Sequence, residues 1–248
     1  MVKRLSMSGL LTAAIAATGL ASTPSVAQNV TPAAAQNEVL PSEPIYTPPS
    51  RGVPGGRVGG ASRGTPNATI ALPIIDLLAP DGHAGLTTNT TPTLYFFVSQ
   101  PITSPTQFTI SAATRPNPII EVNIPAPRGA GIYSIRTADY HVRLEPGVLY
   151  TWSVSVVLDP KARSRDIVAS ASLMCTAPDP TLETALAAQP SRRAGLFAQA
   201  GLWYDAVAAA AETSAHDRHA ALDSLMTQVG LVEPARYDRE TVAGMRSR

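Results

Sequence analysis

Four histidines and one cysteine are the side chains of this 248-residue sequence best suited to chemistry near neutral pH. His216 and His219 flank Asp217-Arg218, one helical turn apart, a spacing that can turn two imidazoles toward one metal ion. No third ligand cluster accompanies them and Arg218 adds repelling charge, so the segment reads as a solvated helix start. His83 lies in the turn-like Pro80-Asp81-Gly82-His83, and His141 near the start of a strand leading to Val142 and Leu144. A hydrolase needs a nucleophile, a base and a group to orient the base. The sequence holds no Gly-x-Ser-x-Gly, His-Glu-x-x-His, Walker-type loop or cysteine ligand pair. Asp76, Asp81, Asp159 and Asp166 are candidate carboxylates for sugar cleavage, whose partners meet only in space. Each sits in or beside a predicted turn, where aspartate commonly bonds backbone N–H groups. The reading is therefore no catalytic, cofactor-binding or metal-binding residues, with a hydrolase as the least favoured class.

Cys175 closes the alternating run Ile167, Ala169, Ala171, Leu173, Cys175, which places its thiol on an apolar strand face. A reactive thiol needs exposure and nearby positive charge; this one reads as buried and inert. As the sole cysteine it leaves no intramolecular disulfide, so a packed core must supply stability.

The elements around these residues fall into five segments. Residues 1–27 have the order of a cleavable signal peptide: cationic Lys3 and Arg4, an apolar stretch from Leu5 to Ala21, and the small-x-small site Ser25-Val26-Ala27. Cleavage after Ala27 leaves Gln28 first, with no stable membrane anchor and no cysteine for a lipid. The whole chain has 19 basic and 18 acidic residues; loss of Lys3 and Arg4 makes it 17 against 18. A near-neutral mature chain implies neither nucleic acid nor an anionic membrane as partner. Export is expected, to the periplasm or the extracellular space.

Residues 28–66 are rich in Pro, Ala, Gly and Ser without hydrophobic period, the composition of a disordered linker. Within it, Arg51, Arg57 and Arg63 stand among glycines without adjacent acids, which also suits a segment that orders against an acidic partner. Residues 67–177 show a period of two. Thr93 to Ser99 is apolar on both faces, the pattern of a central strand; Phe108, Ile110, Ala112 and Ile120, Val122, Ile124 form a hairpin across Arg115-Pro116-Asn117-Pro118. Leu144-Glu145-Pro146-Gly147-Val148-Leu149-Tyr150, entering Tyr150-x-Trp152-x-Val154-x-Val156, is similar to the tyrosine corner of immunoglobulin and fibronectin III-like sandwiches. The fold class expected is mainly β, an immunoglobulin/fibronectin III-like β-sandwich.

Asp179-Pro180 marks the change to helices. Residues 178–232 form a small helical unit, in which Gly201-x-Trp203-x-x-Ala206 resembles the turn of a tetratricopeptide helix pair. Gly230, Leu231 and Pro234 read as its end, leaving 233–248 as a tail. Trp203, Tyr204, Arg163 and Arg165 are candidate partner contacts, the arginines because loops at sandwich ends commonly bind.

Three stretches together resemble the bacterial domain-of-unknown-function family 928: Gly55-Gly56-Arg57-Val58-Gly59-Gly60; Leu144 to Asp166 with Tyr150-x-Trp152 and Asp159-Pro160-x-x-Arg163-Ser164; and Ala200-Gly201-Leu202-Trp203-Tyr204-Asp205-Ala206. The resemblance spans about Arg51 to Leu231. It implies an exported protein without established activity and supplies no catalytic residues. A cysteine often precedes the Asp-Pro pair in that family; Leu158 stands there in this chain. The function expected is a non-catalytic exported protein that binds a protein partner or takes part in envelope assembly. The alternative is a glycan-binding module, for which Tyr140, Trp203 and Tyr204 are the spare aromatics.

Overall fold

The structure is a computed structural model that describes residues 43–50, 53–60 and 72–246. The proposed signal peptide with its Ala27–Gln28 cleavage site lies outside the described residues, as do the first part of the linker and two of its arginines, Arg51 and Arg63.

Among the described residues nine strands form two sheets. In the larger, β9 (Ile167–Cys175) and β8 (Leu149–Val156) are followed by β5 (Thr106–Ala112) and β6 (Ile120–Ile124), all antiparallel. Two short strands share the outer edge of β9. The strand β1 (Arg57–Val58) runs antiparallel beside Ser170 and Ala171, and β3 (Gly85–Thr87) runs parallel beside Leu173 to Cys175. The smaller sheet has β4 (Thr93–Val98) between β2 (Ile75–Leu77) and β7 (Gly131–Arg136). The mainly β expectation thus holds.

Individual strands follow their sequence patterns. In β9 the residues Ile167, Ala169, Ala171, Leu173 and Cys175 are all buried, because period two puts one side of the pleat against the core. The expected hairpin forms with Phe108 opposite Val122 and Ile110 opposite Ile120. At the corner, Gly147 takes φ +77°, a left-handed conformation that glycine adopts without strain. The buried Tyr150 then accepts the Glu145 N–H on its hydroxyl at 2.8 Å.

Five α-helices follow among the described residues: α1 (Pro180–Ala188), α2 (Arg193–Gln199), α3 (Trp203–Ala211), α4 (Ala215–Gln228) and α5 (Val232–Arg246). Asp179 caps α1 by accepting from Thr181 N at 2.7 Å, with Pro180 at the first helical position. Gly201, at φ +75°, turns the chain between α2 and α3.

Three expectations need correction. Residues 233–246 are no tail: α5 packs Ala235 and Asp238 inward and lies against β7. Pro234 sits in its first turn, where a proline's missing N–H breaks no helical bond, so the residue read as a stop is a start. The helical unit of residues 178–232 packs on the sheets, the arrangement favoured for a single tetratricopeptide-like pair: α3 buries Trp203, Tyr204, Val207 and Ala210 in the same cluster as the strands. The part of the supposed linker that is described is docked. Tyr46 is buried edge-on to Trp203 at 4.9 Å, Tyr46 N donates to Gln228 at 2.8 Å, and Thr47 N donates to Ala198 O at 3.0 Å. Farther on, Arg57 faces Asp76 at 3.6 Å, so the acidic partner for this arginine is in the chain itself. Finally, Trp203 and Tyr204 are core residues and present no surface to a partner: their exposures are 0% and 1%. Trp203 Nε1 donates to Leu78 O, and the Tyr204 hydroxyl accepts from Trp152 Nε1, both at 2.8 Å. Their spacing after Gly201 marks the helix face that packs on the sheets.

Candidate functional site

The described residues form a cleft of about 460 Å³ between the smaller sheet and the last helices, a size that suits small-molecule recognition. Its floor is the helix-facing side of that sheet. Antiparallel register puts Tyr95 opposite Ser134 and Phe97 opposite Ile132, and paired residues share a face. Tyr95, Ile132 and Ser134 therefore project together. Tyr133, also at the cleft, belongs by register to the opposite face, with its ring centroid 5.7 Å from that of Phe96.

The walls are two helices with the same internal spacing. From α4 come Arg218, His219 and Leu222, and from α5 come Tyr237, Asp238 and Thr241; residues three and four apart on a helix line one face. His219 Nδ1 and Asp238 Oδ1 lie 2.7 Å apart and tie the helices together. With the carboxylate ionised, Nδ1 carries the proton and Nε2 is left as the second functional atom of the ring. The Asp238 side chain is 9% exposed, and its other oxygen, Oδ2, is out of contact with solvent and has no hydrogen-bond partner among the described residues. Burial raises the Asp238 carboxyl above its ordinary range. The bond and charge of His219 oppose this, Asp223 adds to it, and Arg218 counters it. The Tyr237 ring is fixed by its hydroxyl, which donates to Ala130 O at 2.8 Å. Burial, with the charge of Glu212, pushes the Tyr95 phenol up.

A second concavity, a groove of about 570 Å³, lies between the α1–α2 connection, α4 and Glu43-Pro44. Ala194, Gly195, Ala220 and Ala221 line it with small side chains, and Gln189, Arg192 and Asp217 edge it. Asp217 is engaged by Ser214, whose hydroxyl lies 2.7 Å from it at the start of α4. Arg192 at its edge donates from Nη1 to Gln189 at 3.0 Å.

Among known families, the description Domain of Unknown Function (DUF928) matches residues 58–237, more than half of the chain. The chain belongs to the DUF928 family. No curated protein matches it. No solved structure does either. In this DUF928 member the matched region takes in the cleft floor, the α4 wall and Tyr237, and stops one residue before Asp238.

The other residues singled out in the sequence are dispersed. Arg163 donates from Nη2 to Gln107 at 2.6 Å and pairs through Nε with Asp166, which fixes the loop; Arg165 is exposed beside it. Asp159 accepts from Lys161 N at 2.9 Å, the turn role expected of it, and Asp76 faces Arg57. His83 Nε2 lies 2.8 Å from the Tyr46 hydroxyl, and His141 is exposed in a left-handed conformation at φ 57°. Asp81 is exposed in its bend, and these four aspartates and two histidines do not converge. Leu158 is exposed, and Cys175 is buried with its thiol pushed up by desolvation and the charge of Asp205. Tyr140 is half-buried against Phe108 at 5.7 Å. Among the described residues no group of three or more His, Cys, Asp or Glu can hold a metal ion.

Sequence reasoning missed His219, Asp238, Tyr237 and Tyr95 as members of one site. His219 was expected on a solvated helix start, yet its side chain is 21% exposed and turned to Asp238. The usable signal was the repeat of polar pairs, Arg218-His219 with Leu222 and Tyr237-Asp238 with Thr241, legible only once 233–246 is a helix.

Proposed function

We propose that this DUF928 protein is an exported, non-catalytic binding module of the cell envelope, whose recognition surface is the cleft between β4, β7, α4 and α5. One observation carries the reading. Tyr95, Ile132 and Ser134 from the floor and Arg218 and His219 from the wall converge on one cleft of about 460 Å³, and Asp238, closed to solvent on Oδ2, holds His219 at its edge. The fixed ring of Tyr237 and the half-buried Tyr95 stand beside it, so a ligand meets an apolar wall and polar groups together, the usual composition of a binding site. Serine, histidine and aspartate are all present, but among the described residues Ser134 makes no hydrogen bond to His219, which favours binding over acyl transfer.

The same reading takes the scaffold as an immunoglobulin/fibronectin III-like sandwich, supported by the Tyr150 bond to Glu145 N. It takes α2–α3 as a single tetratricopeptide-like pair, supported by the left-handed Gly201 and the buried Ala206. Export rests on the order of charge, apolar stretch and Ser25-Val26-Ala27 in the first 27 residues. The protein partner expected through Trp203 and Tyr204 loses those contacts to the core.

Hydrogen exchange of the mature chain with fractionated envelope extract tests the proposal. One fraction is expected to slow exchange over residues 131–134 and 237–241, and Ser134→Tyr, which fills the exposed floor of the cleft, is expected to abolish that protection. Protection confined to the groove at 188–195, or none in any fraction, refutes it. N-terminal sequencing of the protein from the periplasmic fraction is expected to begin at Gln28.

A further inference from the structure

We propose that the groove between α2 and α4 is the seat of residues 39–42 of this same chain, with Leu40 as the anchor. It lies apart from the cleft and does not depend on the role given to the cleft.

Residues 43–49 already occupy one half of a furrow between these helices. On the α4 side, Pro44 O accepts from the Ser224 hydroxyl at 3.2 Å and from Gln228 Nε2 at 2.9 Å, and Tyr46 N donates to the Gln228 side chain at 2.8 Å. On the α2 side, Thr47 N donates to Ala198 O at 3.0 Å, and a Cβ on Gly201 would stand 3.0 Å from Thr47 O. The segment thus lies along the later turns of both helices. Glu43 and Pro44 reach the groove, whose walls are the earlier turns of the same two helices, with Ala194 and Gly195 from α2 and Ala220 and Ala221 from α4. The groove is the open half of the furrow, and chain upstream of Glu43 continues into it.

Three features name the occupant. The first is reach. Leu40 stands three residues before Glu43, and three extended residues span about 10 Å. From Ala221 back to Asp217, both at the groove, α4 covers about 6 Å of axis, so residues 40–42 run its length. A tether this short gives Leu40 a far higher local concentration at the groove than the same residue of a second copy. The second is phase. Pro44 and Tyr46 are buried while Glu43, Ile45 and Thr47 are exposed, the alternation of extended chain. Continued upstream, it turns Ser42 and Leu40 inward. Leu40 and Glu43 each precede a proline, which favours extended backbone at both positions. The third is the wall. Gly195 stands within α2, where alanine would favour the helix more, and among the described residues a Cβ there would meet nothing within 4 Å. A backbone passing close above accounts for the glycine, as Thr47 does at Gly201.

The test is methyl-labelled nuclear magnetic resonance of the mature chain. Overhauser contacts are expected from the Leu40 methyls to those of Ala194, Ala220 or Ala221. Gly195→Leu fills the groove from a helical backbone and is expected to remove these contacts and return the Leu40 methyls to random-coil shifts, with the melting temperature retained. Leu40→Asp is expected to move the Ala220 and Ala221 methyl resonances, and it keeps the proposal testable if Gly195→Leu unfolds. Three results overturn it: random-coil Leu40 methyls in the unsubstituted chain, Ala220 and Ala221 resonances indifferent to Leu40→Asp, and contacts seen only between differently labelled molecules, which would seat a second copy's segment in the groove.

Discussion

The Tyr204 hydroxyl is the test of whether α3 belongs to the core or to a partner surface. It accepts from Trp152 Nε1 at 2.8 Å and donates to Ser172 O at 3.1 Å, joining α3 to β8 and β9 inside the protein. In Tyr204→Phe the ring still fills its space, but a buried indole N–H loses its acceptor and a backbone carbonyl loses a donor. An orphaned buried group costs about 1–3 kcal/mol and an ordinary bond nets about 0.5–1.5 kcal/mol. The indole takes the larger figure and the carbonyl the smaller, for a total of about 1.5–4.5 kcal/mol. Against a domain stability of about 5–15 kcal/mol that is a large fraction. The assay is urea unfolding followed by the emission of the two tryptophans, Trp152 and Trp203, with the slope of free energy on urea unchanged because the exposed area is unchanged. A loss below about 0.5 kcal/mol, within the range of surface substitutions, would refute the reasoning and return Tyr204 to the list of partner contacts.

Three other outcomes are expected. Gly85→Ala places a Cβ 2.5 Å from Tyr204 Cε2, and because that ring is held at its hydroxyl the substitution should destabilise by about 1–3 kcal/mol, read by urea unfolding. Cys175, buried and with its thiol raised, should resist iodoacetamide at pH 8 in native protein and react once in denaturant; native labelling at the unfolded rate would show the strand face to be open. Asp205 accepts from Thr87 Oγ1, Thr88 N and Thr88 Oγ1, yet burial leaves its folded carboxyl raised. A raised folded value means the native state holds the proton more tightly than the unfolded chain. This carboxyl's contribution to stability should therefore rise as pH falls from neutral toward the unfolded value of about 3.9. Asp205→Asn should flatten that part of the profile in urea titrations at pH 4 to 7, and an unchanged slope would count against the assignment.

How much of this was legible in the sequence depended on the range over which each signal acts. Period two in Ile167 to Cys175 and in Phe108 to Ile124, the cap at Asp179-Pro180 and the corner at Tyr150 are local, and each formed where expected. The order of strands across the sheet is not local. Nothing in Arg57-Val58 announces that it pairs with β9, more than a hundred residues on, because two residues carry no period and their burial is set by the partner. The alanine-rich α3 pattern was read correctly as a helix, but the choice between packing inward and facing a partner depends on what lies opposite. Here that is Leu78, Trp152 and Ser172.

The cleft was illegible for a sharper reason. Its two walls come from α4 and α5, and α5 is a strongly polar helix whose inward face is made of Ala235, Asp238 and half of Tyr237. A helix that buries an aspartate in place of a leucine weakens the period by which helices are found. A proline at 234 then reads as a stop, although it is equally at home in a first turn. The substitution that hides the helix is the one that furnishes the site. With an apolar residue at 238 the segment would have been easier to read as a packed helix, and His219 would have had no carboxylate to hold it at the cleft. In this fold the departure from amphipathic pattern comes from a buried carboxylate whose partner, His219, stands on the neighbouring helix and not in its own sequence neighbourhood.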